Sequence, residues 1–341
     1  MREYPYAYPW RELPGRPDEL AFLERRFAEM SVLEQNIMEG VMMLEETDTA
    51  ADLINLTAQL YEYKFLPGAI DTDSLGRYVA KHQWGVNEQQ APFIKYTDIG
   101  ESVEEEGYAY TDQGCIIPDG SPIELYDGEN LAKIAAAADC FRVKVASKEC
   151  PEGVWINAPD RECETNDPHE HALAMKALGV NSWSKTIVLD VRCCFENLQN
   201  IAEQCDSTAA LLTAADHFGY IYEEAGQGRC CFHQHWQAAM ELEGCTRLDH
   251  ALDISQNLYC YDFIPNEEHW ENYGRMLADR QKIVSPSSRI GSRFDYSAFA
   301  ASEIQRLDLE PCAHGYIRRN EQAFNYEFSQ QPEQGMEWEM R

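Results

Sequence analysis

The segment 53–68, LINLTAQLYEYKFLPG, occurs a second time as 251–266, ALDISQNLYCYDFIPN. At a constant offset of 198 residues, Leu60, Tyr61, Tyr63, Phe65 and Pro67 meet Leu258, Tyr259, Tyr261, Phe263 and Pro265. Conservative pairs lie between them: Ile54 with Leu252, Leu56 with Ile254, Thr57 with Ser255 and Leu66 with Ile264. Upstream, Met42, Leu44 and Glu45 match Met240, Leu242 and Glu243; downstream, Gly76, Arg77 and Ala80 match Gly274, Arg275 and Ala278. A slip of two residues aligns Ile94 and Tyr96 with Phe294 and Tyr296, and one more aligns Gly114 and Ile116 with Gly315 and Ile317. A self-match this long marks a duplicated supersecondary unit. It predicts that residues 38–117 and 236–318 share one α+β topology, with Tyr61 and Tyr259 in equivalent places.

Local signals fill in the elements. Asp18 after Pro17 is the expected cap of a first helix with Leu20, Leu23, Phe27 and Met30 at helical spacing. Ser31 with Glu34, and Thr49 with Asp52, have the spacing of capping boxes and predict two further helix starts. The alternation Tyr61, Tyr63, Phe65 suits a half-buried strand closed by Pro67–Gly68. Asp73 is the expected cap of a helix over 75–82. The Gly76–Arg77 pair inside it reads as close packing by the glycine and a solvated or salt-bridged arginine. Residues 101–106 form a charged turn before GYAYTDQGCI, a hairpin arm. Residues 131–140 form an Ala-rich helix. The alternating runs 141–145 and 154–156, a helix over 169–178 stopped by Gly179, and the run 186–191 make a ββαβ unit. Helical stretches with Leu198, Ile201, Leu211 and Leu212 as core candidates, then over 230–243, lead into the second copy.

The expected architecture is an elongated, multi-domain α+β chain in which a duplicated α+β module flanks a small ββαβ domain. Its segments are an extended arm over 1–17, the first repeat over 18–120, a linker helix over 121–140, the ββαβ domain over 141–195, the second repeat over 196–320 and a loose acidic tail over 321–341. A length of 341 residues favours several cores over one.

Charge is the strongest constraint on function. The chain has 59 acidic against 28 basic residues, a formal net charge of -31. That argues against direct binding of nucleic acid or an anionic membrane, both of which need a basic footprint. There is no run of 18 apolar residues, and the N-terminus lacks the apolar core of a signal peptide. Twelve cysteines in such a chain read as reduced, mostly buried thiols of a cytoplasmic protein.

Catalytic motifs are absent: no phosphate loop, dinucleotide glycine fingerprint, serine nucleophile elbow or HExxH helix occurs. Two Cys/His groups, Cys230, Cys231, His233 and His235, and Cys150, Cys163, His169 and His171, lack the paired spacing of a zinc site. On a helix, Cys230 and His233 share one face while Cys231 points with His235. Acidic pairs are too common here to select an acid/base couple. The expectation is a non-enzyme with no catalytic residue, cofactor or metal.

The pattern N-L-T-x-x-L-x-x-Y-x-F-x-P-G, the Gly-Arg helix, the hydrophobic pairs Ile94/Tyr96 and Phe294/Tyr296, and the Gly-x-Ile endings resemble ArdA-like antirestriction proteins of bacterial mobile elements. The ββαβ stretch with GVWINAP and KALGV resembles that family's N-terminal α/β domain. The resemblance covers most of residues 20–320 and rests on framework residues. It implies inhibition of type I restriction-modification enzymes by a protein that imitates B-DNA, as an elongated homodimer. This chain departs from the family in carrying a partial module ahead of a complete one, so dimer geometry and target are not carried over. No functional residue is transferred, because a field of carboxylates has no motif.

Beside the resemblance stands a physical estimate. B-DNA presents one charge per ~1.7 Å of axis, so an excess of about 31 charges corresponds to roughly 50 Å of duplex. Glu45, Glu46, Asp71, Asp73, Glu101, Glu104, Glu105 and Glu106 are the candidate carboxylates of such a surface. The expected partner is a restriction-modification or other DNA-binding defence enzyme with a basic channel. The alternatives are a non-catalytic accessory or scaffold protein of a conjugative element, or a metal-dependent enzyme built on the Cys/His groups.

Overall fold

The computed structural model of the protein describes residues 10–104, 107–120, 125–131, 134, 141–160, 170–226 and 230–329. The fold is mixed α+β, with small three-stranded sheets between helices. The chain divides into two compact units, residues 1–192 and 193–341. The ββαβ segment belongs to the first of them.

In the first unit, helices α1 (Pro17–Ala28), α2 (Val32–Leu44) and α3 (Ala50–Thr57) precede strand β1 (Tyr63–Pro67). Arg16, not Asp18, caps α1: the Glu19 carboxylate accepts the Arg16 N–H at 2.7 Å. Pro17 takes the first helical position, where a missing N–H costs nothing. Ser31 and Thr49 cap α2 and α3 through the expected boxes with Glu34 and Asp52. Leu23, Phe27, Met38, Val41, Leu53 and Ile54 form the core of this half.

The segment 60–65 is only partly a strand. Leu60–Glu62 forms a 3-10 turn that leaves Tyr61 57 % exposed, and the ladder starts at Tyr63. Tyr63 and Phe65 then face inward. Helices α4 (Thr72–His82) and α5 (Tyr96–Glu104) follow, then the hairpin of β2 (Ala109–Tyr110) and β3 (Gly114–Pro118), in sheet order β1-β3-β2. Asp71, not Asp73, caps α4, accepting the Ser74 N–H at 2.8 Å. The Ala-rich stretch 131–140 lies largely outside the described residues.

The ββαβ segment comprises β4 (Phe141–Ser147), β5 (Val154–Ala158), α6 (Glu170–Leu178) and β6 (Thr186–Cys193), in order β5-β4-β6. Gly179 ends α6 with φ +67°. This segment is joined to α2 by buried polar contacts: Ser31 Oγ donates to Glu170 at 2.7 Å, and Arg142 donates to Glu34 at 3.0 Å.

The second unit contains α7 (Thr208–Gly226), α8 (Phe232–Leu242), α9 (Leu248–Gln256), β7 (Tyr261–Pro265), α10 (Trp270–Arg280), α11 (Tyr296–Leu307), β8 (Glu310–Cys312) and β9 (Gly315–Arg319). Its sheet order is β7-β9-β8. The register matches the first sheet residue for residue. Tyr63 pairs Pro118 and Pro67 pairs Gly114; Tyr261 pairs Arg319 and Pro265 pairs Gly315. Tyr259, like Tyr61, is 52 % exposed on a 3-10 turn before the strand.

The Gly-Arg pair does the same work in both units. A Cβ on Gly76 would lie 1.8 Å from the Tyr96 carbonyl oxygen, and one on Gly274 2.2 Å from that of Tyr296. Arg77 pairs with Asp73 at 2.6 Å and lies over Tyr96; Arg275 pairs with Glu271 at 2.9 Å and lies over Tyr296. Backbone, not a flexible side chain, blocks the Cβ, so Gly274→Ala must push α10 from α11. A destabilisation of about 1–3 kcal/mol is expected, read as a lower midpoint in urea, whereas Gly244→Ala, with no heavy atom within 4 Å of its Cβ, strains only its own backbone at φ +60°.

The likeness extends past the sequence signal. Asn55 Oδ1 accepts the N–H groups of Leu125 and Tyr126, both at 2.7 Å. Asp253, 198 residues on, accepts those of Glu327, Phe328 and Ser329, each at 2.8 Å. Asn257 clamps Asn325 through both its N–H and its carbonyl. The expectation of a loose tail is therefore corrected for residues 321–329, which are held by these bonds; 330–341 lie outside the described residues.

Candidate acidic interaction surface

Six of the eight candidate carboxylates lie among the described residues; Glu105 and Glu106 do not. Their surroundings differ. Glu45, half-buried just after α2, accepts the Tyr63 hydroxyl at 2.7 Å. Burial first, then this carboxylate, pushes the Tyr63 phenol well above its ordinary pKa. Glu104, at the end of α5, accepts Thr72 Oγ1 at 2.6 Å and the Tyr110 hydroxyl at 2.7 Å, tying α5 to the start of α4 and to β2. Asp71 is exposed and caps α4; hydrogen bonds from the Ser74 hydroxyl and N–H hold its pKa below the usual range. Asp73 pairs with Arg77. Glu46 and Glu101 are exposed to solvent.

The second unit separates framework from surface. Glu45 recurs as Glu243, which accepts the Tyr261 hydroxyl at 2.8 Å. Asp73 recurs as Glu271, paired with Arg275. Both recurring acids have a fixed partner inside their own unit. The positions of Glu46 and Asp71 are Gly244 and His269. The acids that face solvent do not recur, because a screened, exposed charge is not tied to one position by packing.

The acidic excess itself is shared. Residues 1–192 contain 35 acidic and 17 basic residues, and residues 193–341 contain 24 and 11. Within the first unit, residues 27–63 carry 8 carboxylates and residues 96–132 carry 10, with no Lys, Arg or His in either stretch. Such cation-free runs are a better sequence signal than single Glu clusters. They point to exposed acids outside the candidate set: Asp48 and Asp52 at the α2–α3 junction, and Asp98, Asp112, Asp127 and Glu129 further on.

The Cys/His groups are occupied by packing. Cys150 is buried and directed at Glu152; His171 pairs with Asp160 at 3.2 Å; Cys163 and His169 lie outside the described residues. His233 packs on Phe195, and His235 stacks on Phe263 with ring centroids 4.8 Å apart. Burial pushes the His235 pKa down to about 4, so its ring is neutral at physiological pH. The ten described cysteines are free thiols, and no cluster of three metal-ligating side chains occurs among the described residues. No described helix is long and apolar enough to cross a membrane.

Fold and composition thus define a mixed α+β protein with 59 acidic against 28 basic residues. Comparison with protein families, with curated proteins and with solved structures finds no match to this chain.

Proposed function

We propose that this protein is an antirestriction protein: an acidic DNA mimic that binds and inhibits a DNA-binding defence enzyme, such as a type I restriction-modification enzyme. It works without catalysis, and its two α+β modules are copies of one duplicated unit. The observation that carries the reading is the acidic excess in both units, with exposed carboxylates such as Glu46, Asp48, Asp71 and Glu101 drawn from separate elements. A basic channel evolved for duplex DNA attracts such a surface over long range, and each ion pair formed adds a salt-sensitive increment. The resemblance of the repeated framework to antirestriction proteins supports the same reading.

One observation favours the alternative of an accessory or scaffold protein of a conjugative element. Glu45 and Asp73, the two candidate acids that recur in the second unit, are both bonded to a side chain within the fold, as are their counterparts Glu243 and Glu271.

Inhibition of a type I restriction enzyme's DNA binding, measured across a salt series, separates the two. Mimicry predicts inhibition that falls steeply with salt, since many charge pairs form together. Glu46→Gln, Asp48→Asn, Glu101→Gln and Asp112→Asn should each change it about twofold or less, and together about tenfold or more, with an unchanged melting temperature because all four sites are exposed. Glu104 is left intact in this set because it bonds Thr72 and Tyr110. Salt-independent inhibition, or its abolition by one substitution, would sink mimicry; no inhibition would favour the scaffold.

A further inference from the structure

Nine Lys and Arg residues of the second unit lie among the described residues, and they fall into two sets. Arg247, Arg275, Arg306, Arg318 and Arg319 each form an ion pair within the unit. Arg280, which ends α10, Lys282, Arg289 and Arg293 form none with any described residue, and the last three lie in the connection between α10 and α11. From 280 to 294 the chain has no acid at all, against 59 in 341 residues overall. Three cations without an ion-pair partner in one loop of a strongly acidic protein are not explained by internal stability.

The loop is built to present them. The Ser288 hydroxyl donates to the Ser285 carbonyl at 2.6 Å and accepts the Gly291 N–H at 2.9 Å. Ile283 N–H donates back to the Ala278 carbonyl, and Arg293 N–H to that of Ile290, both at 2.9 Å. A Cβ on Gly291 would meet the Ser285 carbonyl oxygen at 2.2 Å, so the loop closes tightly on itself. Its side chains are left outside: Ile283 is 55 % and Ile290 71 % exposed, beside the exposed Lys282, Arg289 and Arg293. The same connection in the first unit is two residues shorter and is not basic, with Glu88 against Lys95. The slip in the repeat therefore marks where the second unit acquired this surface.

A partner must offer carboxylates and apolar surface together. Nucleic acid supplies the charge but gives the two isoleucines nothing to pack on, and a basic enzyme channel would repel the loop. The required chemistry exists on this chain. At the α2–α3 junction Met43 is 66 % exposed, Glu46, Asp48 and Asp52 are exposed, and no cation lies between Arg26 and Lys64. The equivalent positions in the second unit are Glu241, Gly244, Thr246 and His250, so that surface too is confined to one unit.

We propose that the α10–α11 loop of one copy docks on the α2–α3 junction of a second copy of this chain, joining two different surfaces head to tail. Cation–carboxylate contacts a few ångströms apart act inside the Debye length of about 8 Å at physiological salt, whereas the like charges elsewhere on the two copies are screened. A contact of this heterologous kind either closes into a ring or extends as a chain.

The test is sedimentation velocity of the full chain over a wide concentration range, at physiological salt and at about 1 M, where the Debye length falls to about 3 Å. Association is expected at physiological salt, weaker by about tenfold or more at 1 M. The loop variant K282E/R289E/R293E and the junction variant E46K/D48K should each lose about tenfold or more in association, with wild-type melting temperatures. Mixing the two variants should restore it, since the reversed loop then meets a reversed junction. A monomer under every condition, or association indifferent to both reversals, overturns the proposal. Loop-dependent retardation of duplex DNA without self-association overturns it in favour of a nucleic-acid contact. Because the readout is mass and not inhibition, failure here leaves the antirestriction reading standing.

Discussion

Glu34→Ala is expected to destabilise the first unit by about 3–5 kcal/mol, a large part of the 5–15 kcal/mol that holds a typical domain folded. The Glu34 carboxylate accepts from Arg142 Nη2 at 3.0 and 3.3 Å, from Arg26 Nη1 at 3.3 Å and from the Ser31 N–H at 2.9 Å. The side chains of Arg26 and Arg142 are only 8 % and 2 % exposed. These two guanidinium groups hold the Glu34 carboxyl down at a pKa of about 2, against the opposing effect of burial. Removing the carboxylate deprives two buried cations of the acid they share, and it also removes a capping box worth about 1 kcal/mol. Urea denaturation measures the loss. Replacing all three charges together with Met or Leu should cost less than Glu34→Ala, because no buried cation is then stranded. If Glu34→Ala changes the midpoint no more than a surface substitution does, the cluster is not holding the unit together.

The second large effect is on pH dependence. Glu170 faces the same cluster: its carboxylate accepts Ser31 Oγ at 2.7 Å and Asn157 Nδ2 at 3.2 Å. Burial first, then repulsion from Glu34, pushes its pKa up to about 8, with Asp160 adding to the repulsion and Arg142 opposing it. A raised carboxyl pKa favours the fold fully below the unfolded value near 4.5, and that contribution is lost as pH rises through 8. Glu34, depressed, behaves oppositely, losing its contribution as pH falls from 4.5 towards 2. Between pH 6 and 9 the Glu170 contribution should fall by roughly 2–3 kcal/mol. Glu170→Gln, neutral throughout, should abolish that fall and make the variant more stable than wild type at pH 9. Parallel wild-type and variant melting curves across this range would show that Glu170 does not titrate as described.

These two predictions concern residues the sequence presented differently. Glu34 is legible as the third residue of a capping box, and it does cap α2. Its bonds to Arg142 and, through Ser31, to the ββαβ segment span more than a hundred residues, and no spacing rule reaches that far. The candidate acids divided on the same line. Whether Glu45 and Glu104 meet solvent or a tyrosine hydroxyl depends on which strand lies beside each helix end, and that follows from sheet pairing.

The sequence by itself determined the repeated frame: the shared register of two sheets, the Gly-Arg helices with their carboxylate partners, and two of the helix caps. These depend on contacts within one supersecondary unit, where residue type at a fixed offset settles the geometry. Cap positions one or two residues away, as at Arg16 and Asp71, were decided by which nearby side chain, Glu19 or Ser74, could reach the free N–H. Only the tertiary structure decided that residues 325–329 are held by Asn257 and Asp253, that Glu34 and Glu170 share a buried cluster, and that the three cations of the α10–α11 loop form no ion pair with a described residue. The physical reason is common to all three. A charge acquires its role from the burial and partners that long-range packing brings to it, and the same Asp, Glu or Arg in the sequence is compatible with a cap, a buried ion pair or an open surface.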